Sequence, residues 1–334
     1  MNKSLEFVKI MISGISQIVF NSNPVCGILL VVAVLVASPV QAVSCIWAVL
    51  IVTALVCVTR IPMEDAKSGL YTFNPALIGL AIPMVTGCLD FAALPRVLAI
   101  TGVGAVITFA LQVGLRKILN RWGVGVLGLP YSLALTIVCC VMTVADGVMT
   151  VAGGGLTVGG GVDVAAAGSV TGGAAADGVV RSAGSFVEAF LSGTAQIVWL
   201  EGVPLVPIAA IIILIAVCCA SRTDVFMSML CGALATGFAI MLGAVFPGVD
   251  GAVISAGLYG YNAMLLSYVL FGRTYKIGLR SFVITIILTL ATVPFAMGLK
   301  PLMALMGAPV AGFPFSIIGI LAMLVKPAGW EKAD

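Results

Sequence analysis

The sequence contains no histidine, and only 9% of its residues are charged, against the ~25% usual in soluble domains. Without histidine, the commonest metal ligand, the usual proton relay and imidazole acid–base catalysis are all missing. So little charge cannot cover a soluble surface, and with 61% hydrophobic residues the chain reads as a polytopic membrane protein. No alternating strand pattern runs through it, which favours helices over a β-barrel. The nine cysteines show no C-x-x-C spacing and lie in apolar runs, so they read as small buried hydrophobes. Lys3 and Lys9 precede an apolar run without a small-residue cleavage site, which reads as a membrane segment rather than a cleaved signal.

Mid-span Asp, Glu, Lys and Arg are also missing, so neither an ion-coupled pump nor an ion filter is indicated. An integral-membrane enzyme needs clustered acids, bases or nucleophiles that this chain lacks. No metal, cofactor or nucleic-acid partner is expected. Gly153–Gly155 and Gly159–Gly161 could suggest a phosphate cradle, but no flanking strand, Lys or acidic partner supports one.

What is present is repetition. Ile12–Phe20 (Ile-Ser-Gly-Ile-Ser-Gln-Ile-Val-Phe) and Leu191–Trp199 (Leu-Ser-Gly-Thr-Ala-Gln-Ile-Val-Trp) share five identities. Gly69–Leu77 is echoed by Gly257–Leu265, and Gly123 with Gly128–Ser132 by Gly307 with Gly312–Ser316. Three motifs in the same order indicate a duplicated domain: residues 1–143, a Gly/Ala-rich linker over 144–186, and residues 187–334. The linker composition reads as flexible.

Apolar segments predict, for each half, one half-length tilted helix followed by five crossings. With the N-terminus inside, every Lys and Arg except Arg96, Arg181 and Lys300 falls on a cytoplasmic loop. The C-terminus is then cytoplasmic and the linker extracytoplasmic. Five crossings per half invert the second copy, so the expectation is an all-α polytopic membrane protein. Its two inverted-topology repeats would be related by a pseudo-two-fold axis in the membrane plane and would enclose a central pore.

Near the midplane, Gln17 and Gln196 each offer an amide, and Ser132 and Ser316 each offer a hydroxyl beside a Pro. Phe20, Phe73, Trp199 and Tyr261 are candidate aromatic walls. Asn74 and Asn262 read instead as caps of backbone N–H groups, and Glu201 as an external vestibule charge. Any one polar residue here could be helix–helix glue; its recurrence in both halves favours a shared role. Such a pore suits a small neutral polar solute, because oxygens can replace water around its N–H groups while an ion pays full desolvation.

These motifs resemble the urea transporter family. Gln17–Pro24 resembles its Q-V-x-F-x-N-N-P segment, and the two Gly-Leu-Tyr runs resemble its G-L-x-G-F-N-x-x-L element. Leu129-Pro130 and Phe313-Pro314 resemble its L-P-x-x-T-x-P-F signature. Ser132 and Ser316 supply hydroxyls beside the place of that Thr, and the subsequent P-F is absent. The resemblance implies a homotrimer in a bacterial inner membrane, surrounded by lipid, each protomer with its own passive urea pore. Phe20 with Phe73, and Trp199 with Tyr261, would form aromatic slots. Leu77 and Leu265 would pack against the filter, and Gln17 and Gln196 would meet the permeant. A facilitator for another small neutral amide, or for ammonia, is the alternative.

Overall fold

The computed structural model describes residues 3–59, 61–145, 149–152, 155–158, 183–203, 205–246 and 249–325. The first group of helices is α1 (Lys3–Ser16), α2 (Pro24–Ala37), α3 (Pro39–Val58), the short α4 (Met63–Lys67), α5 (Phe73–Val85), α6 (Leu94–Leu119) and α7 (Leu129–Ala145). The second is α8 (Ala183–Gln196), α9 (Val206–Ala220), α10 (Arg222–Val245), the short α11 (Gly251–Ser255), α12 (Gly260–Leu270), α13 (Leu279–Leu305) and α14 (Phe313–Leu324). Between them, β1 (Met149–Ala152) pairs antiparallel with β2 (Gly155–Val158). Helix α7 runs to Ala145, and α8 begins at Ala183.

Local chemistry places the helix starts. Pro occupies the first turn of α2, α3, α6, α9 and α14, where its missing N–H has no helical partner to lose. Asn23 caps α2 by accepting from Val25 N at 2.9 Å, and Ser221 caps α10 by accepting from Asp224 N at 3.2 Å. The longer helices are predominantly apolar, with their outer faces uncharged over most of their length. Outward positions such as Ile28, Leu35, Ile211, Ile215, Val283 and Ile287 are exposed and apolar. Polar side chains turn inward: Ser44 and Thr101 hydrogen-bond at 2.8 Å in the core between α3 and α6.

Four helices (α3, α6, α10 and α13) are long and apolar enough to cross a membrane among the described residues. Residues Glu6–Val19 and Pro24–Ala37 form a fifth candidate, bent by 77° at the break between them. The expected five full crossings per half are thus met only in part. Helices α5, α7, α9 and α14 are 13, 17, 15 and 12 residues long, so partial-length helices are common in both groups.

Packing follows the same scheme in both groups. Helix α3 packs on α5 and α6, as α10 packs on α12 and α13; α1 lies against α2 and α4, as α8 lies against α9 and α11. The groups are joined where α2 packs on α9 and where α7 meets α14. Backbone conformation recurs too. Left-handed φ values pair Phe20 (55°) with Trp199 (60°), Gly69 (76°) with Gly257 (75°), Gly123 (66°) with Gly307 (60°), and Leu127 (49°) with Ala311 (47°).

One of these pairs explains the repeated stretch. A Cβ on Gly69 would stand 2.4 Å from Ser13 C, and one on Gly257 would stand 2.0 Å from Gly193 N. The Ser-Gly of each opening motif and the Gly of each Gly-Leu-Tyr motif are therefore in backbone-to-backbone contact, which only glycine allows. Two motifs distant in sequence recur together because they make one joint.

Candidate functional site

The joint fixes the position of the turn at the end of each opening motif. In the first group α1 tightens into a single 3₁₀ turn, Gln17–Val19, and Phe20 leaves it in the left-handed region with its N–H on Gln17 O at 2.9 Å. In the second, Trp199 N bonds Gln196 O at 3.1 Å in the same conformation. Bulky residues avoid this region at a cost of order 1–3 kcal/mol, so an aromatic held there twice is a feature the surrounding structure maintains.

The rings meet partners from both groups. Phe20 lies 6.0 Å from Phe73, tilted by 59°, and 6.1 Å from Phe315, edge-on at 72°. Trp199 lies 6.4 Å from Tyr131, edge-on at 77°. Phe315 and Tyr131 occupy equivalent places in the duplicated Pro-aromatic-Ser run, so each left-handed aromatic contacts a ring from the other group. Trp199 and Tyr261 line one cavity, and Trp199 also packs edge-on against Tyr131. Tyr131 and Phe315 are not apparent as site residues from sequence, where the adjacent Ser stands out instead, although both lie in a duplicated motif.

The cavity has a volume of about 140 Å³. Its walls include Gln196, Trp199, Tyr259, Tyr261, Lys300 and Ala311. Trp199 therefore faces this interior space rather than the outer surface. Tyr261 donates its hydroxyl to Ala311 O, which leaves its ring as wall. Lys300 pairs with Asp250 at 3.5 Å, and the matching Arg116 pairs with Asp65 at 3.2 Å. Arg116 also lies over the Tyr71 ring, 4.9 Å from its centre.

Between the aromatic groups the two hydroxyls face each other's helix entries. Ser132 and Ser316 are fully buried in the first turns of α7 and α14. Ser132 Oγ donates to Gly128 O at 3.1 Å; Ser316 Oγ has no hydrogen-bond partner among the described residues. A Cβ on Gly128 would lie 3.2 Å from Ser316 Oγ, and one on Gly312 would lie 3.3 Å from Ser132 Oγ. Each hydroxyl thus sits against the other group's glycine. Leu77 and Leu265 are buried one turn into α5 and α12, after Phe73 and Tyr261.

The asparagines differ from the caps expected of them. Asn74 donates to Leu127 O at 3.0 Å and Asn262 to Ala311 O at 3.4 Å, the carbonyls of the left-handed residues preceding α7 and α14. Asn262 Oδ1 also accepts from Phe315 N at 3.3 Å. They are clasps between helices rather than caps of their own. Gln41 is a further clasp, its amide bonding both Leu80 O and Trp199 O at 2.8 Å and so tying α3 to the α8–α9 break. Glu201 is buried, its Oε2 turned back to accept from Gln196 Nε2 at 2.7 Å. Gln17 is half-buried, with no side-chain hydrogen bond among the described residues.

Helices with apolar outer faces and a polar interior, arranged in two similarly packed groups, define an integral, multi-pass membrane protein. A family model described as "Urea transporter" matches residues 8–327, and the chain belongs to that family. Similar curated proteins include Urea transporter 1 of Ovis aries and of Capra hircus. Each is 28% identical over 137 residues, covering 40% of this chain and 35% of the relative. Urea transporter 1 of Mus musculus is 28% identical over 135 residues, covering 40% of this chain and 34% of the relative. The chain thus spans about a third of the length of the curated relatives it matches.

Proposed function

We propose that the protein is a passive urea channel whose permeant path runs between two inverted repeats, residues 1–143 and 187–334, joined by an extracytoplasmic linker. The observation that carries this reading is the recurring left-handed aromatic residue, Phe20 and Trp199, each preceded by a Gln and each packed on a ring from the other half. The matched φ pairs and the matched helix contacts support the duplication. The cytoplasmic bias of Lys and Arg supports inversion, with both termini in the cytoplasm of a bacterial cell.

Along the path the solute meets two polar–aromatic sites separated by the buried Ser132 and Ser316 hydroxyls. At one, Gln17 stands with Phe20, Phe73 and Phe315; at the other, Gln196 stands with Trp199, Tyr131 and Tyr261. Leu77 and Leu265 back the two sites. Urea is planar and neutral and carries N–H donors on both sides of one carbonyl. Rings restrict it to its flat orientation, and amide, hydroxyl and carbonyl oxygens take over the hydrogen bonds it leaves in water. A hydrated cation gains no formal counter-charge along the walls and pays desolvation. The family resemblance adds the homotrimer, each subunit with its own path.

Stopped-flow light scattering of proteoliposomes under an inward urea gradient tests the reading. Reconstituted protein should carry urea well above the rate of empty vesicles, with thiourea and methylurea competing. Folded protein with no excess flux would refute it.

A further inference from the structure

The geometry points to Glu201 as the residue that fixes the orientation of the Gln196 amide, so that this side chain offers the cavity its carbonyl oxygen and keeps its N–H groups turned to the protein. Gln196 has two N–H groups and one carbonyl oxygen. Its Nε2 reaches Glu201 Oε2 at 2.7 Å and the Ala256 carbonyl at 3.4 Å, so both donors have acceptors in the protein. Gln196 lines the cavity with Trp199 and Tyr261, and the polar atom it has left for a solute there is Oε1. Turning the amide over would set Oε1 against a carboxylate and a carbonyl, acceptor against acceptor, with the buried carboxylate losing its amide donor.

The other site lacks this device. Ser22 stands where the repeat places Glu201, and Gln17 is half-buried with no side-chain hydrogen bond among the described residues. Its amide is free to present either end. Glu201 is thus a positioning and specificity-determining residue acting through Gln196, and it makes the Trp199 site the stricter of the two. The solutes this site favours are planar molecules rich in N–H donors. Acetamide, close to urea in size but with a methyl in place of one NH₂, should be the weaker permeant. The inference rests on the cavity belonging to the solute path.

The test is the ratio of urea to acetamide permeability in proteoliposomes of the full chain, for wild type, Glu201→Met and Glu201→Gln. Met keeps the volume and removes the acceptor, leaving the amide only the long 3.4 Å contact with the Ala256 carbonyl, whereas Gln keeps a side-chain oxygen that can accept from Gln196. The expected result is a fall in the urea preference of about fivefold in Glu201→Met, the factor one net hydrogen bond is worth, with acetamide flux retained. In Glu201→Gln the ratio should stay within about twofold of wild type, on the same scale. An unchanged ratio in Glu201→Met, or an equal fall for both solutes, would overturn the inference while leaving the channel reading standing. If the Met variant fails to fold, the Gln variant decides: a retained ratio supports amide positioning, and a lost one assigns the effect to charge and overturns it. No urea flux in wild type would overturn the channel reading and this inference together.

Discussion

Gly257→Ala should destabilise the protein strongly, because it breaks the joint that the duplicated sequence encodes. Gly257 has φ +75°, a region in which an L side chain costs ~1–2 kcal/mol. The added methyl would also stand 2.0 Å from Gly193 N, 2.4 Å from Gly193 Cα and 2.6 Å from Ser192 C. These are backbone atoms and no rotamer can move them aside, so α8 must shift, at a further ~1–3 kcal/mol by analogy with overpacked cores. The expected total is ~2–5 kcal/mol. Gly193 lies one turn before Gln196, so the shift should also lower urea flux in whatever protein remains folded. The control is Gly298→Ala in α13, where a Cβ meets nothing within 4 Å; there the helix should gain ~0.5–1 kcal/mol. Thermal unfolding in detergent, followed by size-exclusion recovery after heating, measures both. Gly257→Ala melting with the wild type would refute the backbone-joint explanation of the repeat.

Asn262→Leu removes a donor from Ala311 O and leaves Phe315 N without its side-chain acceptor; it should cost ~1–3 kcal/mol in the same melting assay. Tyr261→Phe should cost less, ~0.5–1.5 kcal/mol, since the Ala311 carbonyl keeps Asn262. Phe20→Ala takes one ring out of contact with Phe73 and Phe315 and should slow urea by roughly fivefold, as expected for ~1 kcal/mol lost from the path, measured by stopped-flow flux. Lys300→Gln breaks an ion pair whose side chains are 45% and 44% exposed, so its melting temperature should match wild type at low and high salt alike.

Much of the architecture is legible in the sequence because duplication prints the same constraint twice. Ser13-Gly14 with Gly69, and Ser192-Gly193 with Gly257, are readable as motifs, and the structure supplies their reason, two backbones in contact. The low charge and apolar runs are enough for a multi-pass membrane protein. Helix lengths are less readable. Uniformly apolar segments carry no mark of where a helix stops, so short helices merge into longer expected crossings. Among the site residues, the Gln and the aromatics emerge from repetition alone. The left-handed turn at Phe20 and Trp199 does not, since neither residue type favours that conformation. Nor do the ring contacts with Tyr131 and Phe315, which come from the opposite half and depend on how α7 and α14 meet. Asn74 and Asn262 mislead for the same reason: a helix-start Asn suggests a local cap, whereas their partners lie some fifty residues away. Glu201 shows the limit of reading charge by position. A lone carboxylate after a half-span suggests solvent, and only the folded break shows it turned back on Gln196.

The central claim is that the protein equilibrates a neutral solute without coupling to any gradient, because the spans hold no ionisable relay and the walls offer oxygens and rings. It is tested most directly by the end-point of radiolabelled urea uptake into proteoliposomes with imposed proton or sodium gradients. Internal urea should rise faster than in empty vesicles, reach the external concentration and stop there, whichever gradient is applied. Accumulation above the external concentration, or a plateau that tracks the gradient, would contradict a passive pore.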